Sequence, residues 1–463
     1  MKKLLKSLIA IQLIILNIQL INAQTTEPIL RLNTPMHSSG IVRISSDSKG
    51  DYILTSSIDK TAKLRDANTG NLLKTFRIPI GSGKEGKLRG CALAPDGKIA
   101  AIGGWTGWTW DKKMSIYFFN TSSGKLIQRI TGLENVILDL EFSKDGSYLA
   151  AAKSGTAGVT IFKQIIAQPQ KYIKHKDLTG YGASSSNVVF DNFGNLATVC
   201  YDGKIRLYDK YFNLIKEIKG SGEKPYSVSF SADGEKIAVG YSDASFIQIY
   251  SGSTLEFLYN AKLSYTSSGS YKNVFFSNDG RYLYAGGRGS SSFLWSRGNV
   301  IHRWENAGKG EFYDHNLCKF NIQDFKNLPN GDIIYASSEP DMGRFRASSE
   351  LVNSRDIFYK ESEIINLKEN NKSHFKVSYL GDKIAFTPFA KKYLAYSITD
   401  RRLSKLTKNH GLKSYVDERQ GVDITSWKNT KYTPSINSVE IKFGKKNDFF
   451  TSVDISDDGS KIV

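Results

Sequence analysis

The sequence is poor in the residues on which disulfide-stapled domains and metal centres depend. Its 463 residues include three cysteines, six histidines and ten prolines. Three cysteines cannot all pair, and each lies in or beside an apolar stretch, so we expect buried thiols instead of a disulfide framework. They are Cys91, Cys200 and Cys318. No histidine belongs to an HExxH or paired-cysteine pattern, so no metal site is predicted.

Signatures of catalysis are also missing. The sequence contains no G-x-S-x-G elbow and no glycine loop suited to holding a phosphate. The turn Asp457-Asp458-Gly459 is too short for a calcium loop. The sequence therefore predicts no cofactor and favours a protein that is not an enzyme.

Only one apolar run is long enough to concern a membrane, and it lies at the N-terminus. Three lysines among the first six residues precede the apolar stretch Leu8–Leu16, and Ala23 is a small residue before a cut at Gln24. This order is typical of a secretory signal peptide over residues 1–23. We therefore expect a periplasmic or secreted protein with no membrane span after cleavage. An uncleaved membrane anchor is the alternative.

Positive charge is in excess but is not concentrated. The formal net charge is +18 at pH 7, from 63 Lys and Arg against 45 Asp and Glu. The lysines are spread along the whole chain instead of forming a block, which is typical of a solvated surface. Binding of nucleic acid is therefore not expected.

The sequence is rich in glycine, with 40 residues, and many of them end a turn that recurs along the chain. An alternating strand precedes most copies of the turn, and a smaller, more apolar strand follows. The seven glycines are Gly50, Gly97, Gly146, Gly194, Gly234, Gly280 and Gly331, spaced 47, 49, 48, 40, 46 and 51 residues apart. Repeats of this length, built from short strands, predict an all-β propeller in which each four-stranded blade covers the next.

The first repeat carries residues that resemble a known family. It reads His37…Thr55…Asp59…Arg65-Asp66, which resembles the WD-repeat family, whose repeats open with Gly-His and close with Trp-Asp. The resemblance implies a hydrogen-bonded network of His37, Thr55 and Asp59 inside the blade. Arg65 departs from the family pattern, because it stands where the family has tryptophan.

The fourth repeat keeps part of this pattern. It has Thr198 and Asp202 and closes with Tyr208-Asp209, but it lacks the histidine. The resemblance covers roughly residues 30–350, and more narrowly the chain looks like exported bacterial WD-repeat proteins. Some of those proteins carry a caspase-like peptidase domain. The three cysteines here do not match a caspase nucleophile signature, so no catalytic residue is carried over.

The repeats divide the chain that follows the signal peptide into two parts. Residues 24–360 are predicted to form a seven-bladed WD-repeat-like β-propeller. Residues 361–463 hold a degenerate blade, a polar connection and the truncated start of a second propeller, which we expect to be incomplete because its fresh repeat stops within a blade. A single ring of eight or nine blades, closed by Ile29–Leu32, is the alternative.

Two sets of residues are candidates for binding. The insertion in the second repeat carries Trp105, Trp108 and Trp110, which could stack on a sugar or a peptide, or fold over the blade edge as an apolar plug. Turns in later repeats carry Tyr201, Tyr241 and Arg288, which are predicted to line one rim of the ring. For the aspartates of these turns, ordinary turn chemistry is the favoured reading.

Three functions are consistent with these observations. The first is an exported, non-enzymatic scaffold that binds a protein through one face of the propeller. The second is a module that senses a ligand or glycan, or the propeller part of a truncated caspase-like effector protein. The third is a propeller enzyme with an active site assembled from several blades, for which Asp202 and Asp243 are the candidate residues.

Overall fold

The computed structural model describes residues 35–81, 83–262, 268–290, 299–318, 321–338, 340–346 and 356–360, together with short strands between residues 374 and 440. The larger of two structural units, residues 34–80 and 84–366, contains seven antiparallel sheets of four strands each. Within every sheet the strands follow chain order, and the first strands of neighbouring sheets lie against one another. This arrangement is a seven-bladed β-propeller, which confirms the predicted seven-bladed ring.

Blades 1 to 4 contain sixteen strands. Blade 1 comprises β1 (Ile41–Ser46), β2 (Tyr52–Ser57), β3 (Thr61–Asp66) and β4 (Leu72–Arg77). Blade 2 comprises β5 (Leu88–Leu93), β6 (Ile99–Gly104), β7 (Met114–Asn120) and β8 (Leu126–Leu133), with the one-turn helix α1 (Trp108–Asp111). Blade 3 comprises β9 (Ile137–Phe142), β10 (Tyr148–Lys153), β11 (Val159–Ile165) and β12 (Gln168–Leu178), with a 3-10 turn at Gly155–Ala157. Blade 4 comprises β13 (Ser185–Phe190), β14 (Leu196–Cys200), β15 (Lys204–Tyr208) and β16 (Leu214–Lys219).

Blades 5 to 7 contain twelve strands. Blade 5 comprises β17 (Pro225–Phe230), β18 (Lys236–Tyr241), β19 (Ile247–Ser251) and β20 (Phe257–Asn260). Blade 6 comprises β21 (Ser268–Phe276), β22 (Leu283–Ser290), β23 (Asn299–Trp304) and β24 (Phe312–Cys318), with a 3-10 turn at Asn306–Gly308. Blade 7 comprises β25 (Ile322–Asn327), β26 (Ile333–Ser337), β27 (Met342–Phe345) and β28 (Asp356–Lys360).

The recurring glycine turn joins the first two strands of each blade. Its glycine has a φ between 69° and 88° in all seven copies, a conformation that a side chain resists. In blade 5 the Asp233 carboxylate accepts hydrogen bonds from the Ser231 hydroxyl (2.5 Å) and from the Glu235 N–H (3.0 Å). The turn is therefore held by residues within the turn itself, which is why the sequence predicts it so directly.

Apolar residues of adjacent blades form the cores. Ala150, Ala152 and Ile161 of blade 3 pack against Val188 and Leu196 of blade 4, and all five are buried. The small side chains of the second strands allow the sheets to approach closely near the axis. Because each core is shared between two blades, a blade depends on its neighbours for stability.

The ring closes between blades 7 and 1. Ile41 and Ile44 belong to one core cluster with Ile334 of blade 7. The Arg344 guanidinium donates to the Ala67 carbonyl oxygen across this junction at 2.6 Å. All four strands of blade 7 come from residues 322–360, so the ring has seven blades, not eight or nine. The strand Ile29–Leu32 of the alternative closure lies outside the described residues.

A repeated side-chain position links several inner strands. In blades 3, 4, 5 and 7, the side chain seven residues before the turn glycine accepts a hydrogen bond from a backbone N–H of the next blade around the ring. The pairs are Asp139 with Val188 (3.1 Å), Asn187 with Val228 (2.9 Å), Ser227 with Val274 (3.3 Å) and Asp324 with Ile44 (3.0 Å). These bonds satisfy polar groups of the inner strands and set the spacing between blades.

Each inner strand also has an irregular register against the second strand of its blade. At the irregularity, a residue of the inner strand has no opposite residue in the register. These residues include Val42, Arg89, Ser186, Tyr226 and Gln323. Such bulges turn side chains away from the regular pleat, and here they lie where the inner strands surround the axis.

The blade topology defines two faces. The turns between the first and second strands, and between the third and fourth, lie at one end of the blades, which we call the glycine-turn face. The turns between the second and third strands lie at the other end, together with the connections between blades, and we call this the connection face. His37, the tryptophan insertion and the turn at Asp202 belong to the connection face.

The second unit contains a five-stranded sheet with the order β32-β31-β30-β29-β33. Its strands are β29 (His374–Val377), β30 (Lys383–Thr387), β31 (Tyr393–Ser397), β32 (Arg402–Leu406) and β33 (Val422–Asp423), and a hairpin β34 (Ser435–Ile436) to β35 (Val439–Glu440) follows. The predicted opening repeat of a second propeller, from Phe449 onward, lies outside the described residues. Among the described helices, none has the length and hydropathy to cross a membrane.

Candidate binding face at the centre of the propeller

A buried network joins His37 to blade 1, as the resemblance implied. The His37 Nδ1 lies 2.9 Å from the Asp59 carboxylate, and its Nε2 lies 2.8 Å from the Thr55 hydroxyl. Burial lowers the pKa of His37, so the ring is neutral near pH 7 and donates from Nδ1 to the carboxylate. Burial opposes ionisation of Asp59, but His37 and Thr61 still hold its pKa well below the usual range.

Arg65, at the family's tryptophan position, does not complete this network. Its guanidinium donates to the Gly70 carbonyl oxygen at 3.1 Å. It also donates to the carbonyl oxygen of Pro35, which lies on the segment that leads into the blade. The Thr55 hydroxyl also lies 3.3 Å from the Lys63 carbonyl oxygen. Arg65 is buried, and burial lowers its pKa to about 10.

Blade 4 has a second version of the network, which sequence reasoning missed. The Tyr181 hydroxyl lies 2.9 Å from the Thr198 hydroxyl and 3.1 Å from the Tyr208 hydroxyl. The Arg206 guanidinium stacks 4.2 Å from the Tyr181 ring centroid and donates to the Asp202 carboxylate at 2.7 Å. Tyr181 thus occupies the position of His37, and its separation of 21 residues from Asp202 is the signal that could have identified it.

In three blades, the aspartate in the turn between the second and third strands (the middle turn) binds the backbone of the preceding connection. Asp59, Asp202 and Asp243 accept a backbone N–H from the connection that precedes their own blade, at 2.9, 3.0 and 3.1 Å. The donors are Ser38, Gly182 and Glu223, located 20 or 21 residues earlier. Asp202 and Asp243 therefore have structural partners, in agreement with ordinary turn chemistry.

The tryptophan insertion is tied to the preceding connection by Glu85. This buried carboxylate accepts the N–H groups of Gly107 (2.5 Å) and Thr109 (3.0 Å), which begin helix α1. Asp111, at the end of α1, pairs with Arg129 of β8. The insertion is therefore an ordered part of blade 2.

The three tryptophans of the insertion differ in exposure. Trp105 packs against the core shared by blades 2 and 3, with the Lys84 ammonium 5.3 Å from its ring centroid. Trp110 is half-buried, whereas Trp108 is 44% exposed. Trp105 thus behaves as the apolar plug, and Trp108 has the exposure that a contact residue needs.

The three residues predicted to line the rim lie in different environments. Tyr201 is partly exposed on the connection face, and its ring centroid lies 6.3 Å from that of Tyr226. Tyr241 is completely buried, with its hydroxyl donating to Gln248 at 2.6 Å, so it cannot form part of an exposed surface. Arg288 lies within strand β22, in register with Ser270 of β21, and not in a turn.

Charged side chains cross the centre of the ring. Arg43 of blade 1 donates to Asp139 of blade 3 at 3.0 Å and to the Ser186 carbonyl oxygen of blade 4 at 2.7 Å. Lys326 of blade 7 donates to Glu141 of blade 3 at 2.9 Å. These blades are not adjacent, so the contacts span the central channel. Ion pairs therefore close the channel below its mouth.

The mouth of the channel is lined by aromatic and cationic groups. The Tyr226 ring centroid lies 5.6 Å from the Arg43 guanidinium and 5.2 Å from the Lys272 ammonium. Burial raises the pKa of Tyr201 to about 12, and the positive charges of Arg43 and Arg89 act against this effect. Arg89 lies at the bulge of the inner strand of blade 2, the position that Tyr226 occupies in blade 5. Arg89 is exposed and makes no hydrogen bond to any residue that the structure describes.

Within the described ranges, no group of three or more His, Cys, Asp or Glu side chains is placed to hold a metal ion. Cys91 and Cys200 are buried free thiols, as predicted, and burial raises the pKa of Cys200 to about 11. The side chain of Cys318 lies outside the described part of the chain.

Comparison with known proteins gave a family match and two relatives. Residues 29–66 match the family model for the WD domain, G-beta repeat. The chain is 27% identical over 174 residues to pre-mRNA-processing factor 19 of Dictyostelium discoideum, covering 37% of this chain and 31% of that protein. It is 24% identical over 283 residues to autophagy-related protein 16 of Arabidopsis thaliana, covering 57% of this chain and 49% of that protein. The chain spans less than half the length of each relative.

Proposed function

Because this chain is a WD-repeat β-propeller, we propose that it is an exported, non-enzymatic scaffold that binds a protein partner through its connection face. Propellers with this repeat typically act as protein-interaction scaffolds. The relatives named above are also WD-repeat proteins. The N-terminal sequence, which is typical of a secretory signal, supports export.

The observation that carries the choice of face is the grouping of exposed aromatic and cationic residues around the closed channel. Arg89 and Trp108 of blade 2 and Tyr201 of blade 4 are exposed on the connection face. Aromatic residues and arginine are enriched at the centres of protein interfaces. Because the channel is closed below its mouth by Arg43 and Lys326, a partner would rest on this face instead of passing through the ring.

The test is site-directed photo-crosslinking with a matched control on the opposite face. A photoreactive amino acid is placed at Trp108 or Tyr201 on the connection face, and at Phe193 or Tyr211 on the glycine-turn face. All four positions are exposed aromatics, so the substitutions are comparable. In extract of the source organism, we expect one protein adduct from the first pair and none from the second. Equal labelling from both faces, or no adduct from the connection face, would contradict the proposal.

Export is tested separately by cell fractionation and N-terminal sequencing. We expect the purified protein to begin at Gln24 and to be released with the periplasmic or extracellular fraction. An intact N-terminus in the cytoplasmic fraction would refute export without affecting the binding proposal.

A further inference from the structure

The charges of the central channel divide into two layers. In the lower layer, cations and anions neutralise one another, because Arg43 is paired with Asp139 and Lys326 with Glu141. Asp324 is engaged in the same layer, where it accepts the Ile44 N–H at 3.0 Å. Asp139 and Glu141 are therefore paired with cations, whereas Asp324 is bound by a backbone N–H.

The upper layer, at the mouth, contains two cations, Lys272 and Arg89, that form no ion pair with any residue that the structure describes. Lys272 donates to the neutral side chain of Gln323 at 2.7 Å, and it has no ion pair to a described residue. Arg89 is exposed and makes no hydrogen bond to any described residue. Tyr226, at the start of β17, lies beside Lys272, and its hydroxyl interacts with the Arg43 guanidinium. The mouth thus offers two cations and a hydroxyl donor.

The behaviour of the tyrosines supports a positive potential at this position. Burial raises the pKa of Tyr172 and of Tyr284 well above the ordinary value, as expected for a phenol removed from water. Burial acts in the same direction on Tyr226, yet Arg43 and Lys272 hold the pKa of Tyr226 below its ordinary value. The local cations therefore outweigh the desolvation of an anion at the mouth.

We propose that the channel mouth, formed by Arg89, Tyr226 and Lys272 with Tyr201 at its rim, is the seat for a carboxylate side chain of an acidic segment in the protein partner. This inference rests on the proposed function, since it names the chemistry of the group that the partner places at the axis. Two cations and a phenol hydroxyl can donate to both oxygens of one carboxylate. The rings of Tyr201 and Tyr226 provide apolar area for the flanking chain.

Charge complementarity and depth favour a peptide side chain as the occupant. The mouth is positive, and the ion pairs of Arg43 and Lys326 below it stop a ligand from entering further. A carboxylate on a short side chain could reach this depth while the backbone that carries it stays on the exposed face beside Tyr201 and Trp108. The mouth therefore acts as a specific point within a wider protein interface.

The probe is a fluorescein-labelled octapeptide of alternating Gly and Glu, and its control is the same peptide with Gln in place of Glu. Binding is measured by anisotropy with the full chain at physiological salt, where the Debye length of about 8 Å suppresses attraction to distant charges. We expect the glutamate peptide to bind at least 10-fold more tightly than the glutamine peptide. A photoreactive group beside the central glutamate should label β5, β17 or β21.

The variants remove one positive charge at a time. Arg89→Gln acts on an exposed side chain, and Lys272→Gln acts on a partly buried one. Their matched control is Arg281→Gln, which removes an exposed arginine from the glycine-turn face of blade 6. Arg89→Gln and Lys272→Gln should each weaken binding of the glutamate peptide at least 5-fold, and Arg281→Gln less than 2-fold. If Lys272→Gln lowers the melting temperature, Arg89→Gln alone decides the matter.

Three results would overturn the proposal. The first is equal affinity for the glutamate and glutamine peptides. The second is an equal loss from Arg281→Gln and Arg89→Gln, which would indicate diffuse attraction to a basic chain. The third is complete displacement of the peptide by millimolar inorganic phosphate, which would assign the mouth to a free anion. If the peptide fails but crosslinking from Trp108 or Tyr201 succeeds, only this inference is wrong and the scaffold proposal stands.

Discussion

Blades 1 and 4 solve the same structural problem with different side chains. In both, an aspartate of the middle turn accepts a backbone N–H from the preceding connection, and a ring from that connection reaches a buried threonine. In blade 1 the ring is His37, which bonds Asp59 itself. In blade 4 the ring is Tyr181, and Arg206 supplies the partner of Asp202. The position in the blade is therefore preserved while the chemistry changes.

The difference shows how much each blade depends on its aspartate. Asp59 is almost fully buried and satisfies His37 together with the N–H groups of Ser38 and Thr61. Asp202 is more exposed, and Arg206 has a further partner in Glu217. Removing the carboxylate should thus leave more unsatisfied donors in blade 1 than in blade 4.

The largest expected effect tests this asymmetry directly. Asp59→Ala should lower the free energy of unfolding by about 3–5 kcal/mol, because it leaves several buried donors without an acceptor. Asp202→Ala should cost about 1–2 kcal/mol, because Arg206 keeps Glu217 and the Gly180 carbonyl oxygen. Urea denaturation followed by tryptophan fluorescence measures both values. Equal losses of unfolding free energy would show that Asp59 and Asp202 contribute equally, which would contradict the expected difference between the blades.

A smaller effect is expected from the ring of blade 4. Tyr181→Phe keeps the contact with Arg206 but removes the hydroxyl that joins Thr198 and Tyr208, so it should cost about 1–2 kcal/mol in thermal or urea unfolding. Tyr211→Phe is the matched control, since Tyr211 is 66% exposed, and its change should stay within about 0.5 kcal/mol. A loss no larger than that of the control would mean that the hydroxyl contributes nothing.

The smallest effect distinguishes the two rings by pH. The pKa of His37 is lower in the folded chain than in the unfolded one, so its stabilising contribution is present above about pH 6.5 and falls as the pH drops below that value. The pKa of Tyr181 is raised well above 10, so its contribution is lost as the pH rises past about 10. His37→Gln should flatten the stability profile between about pH 5 and 7, and Tyr181→Phe should flatten it only above about pH 10. Unchanged slopes would remove these groups as the cause.

The tryptophan insertion illustrates what a sequence leaves undecided. Three tryptophans within six residues indicated either a binding surface or an apolar plug, and the structure divides them between the two roles. Trp105 packs against the core, while Trp108 is exposed. The exposure of Trp108 depends on how Glu85 holds helix α1 against the preceding connection. Glu85 is separated by 22 residues from Gly107 and by 24 residues from Thr109, the two residues whose N–H groups it accepts.

The rim residues illustrate the same limit. Tyr241 ends a strand next to a turn, so the sequence favoured exposure, but Gln248 of the adjacent strand provides a buried acceptor for its hydroxyl. In the sequence, Tyr226 and Lys272 are single residues of alternating strands, and no motif marks either of them as a candidate for binding. They become a candidate site only because the blades bring their strands to a common axis.

By itself, the amino-acid order determined the seven glycine turns and the short strands beside them, because each depends on residues within one repeat. The resemblance of the first repeat to a known family added the network of His37. Only the tertiary structure decided that Arg43 reaches Asp139, that Tyr181 replaces a histidine and that Tyr226 and Lys272 meet at the channel mouth. The physical reason is distance along the chain. Local backbone geometry can be read from neighbouring residues, whereas the balance of charge around an axis is set by strands that are tens to hundreds of residues apart.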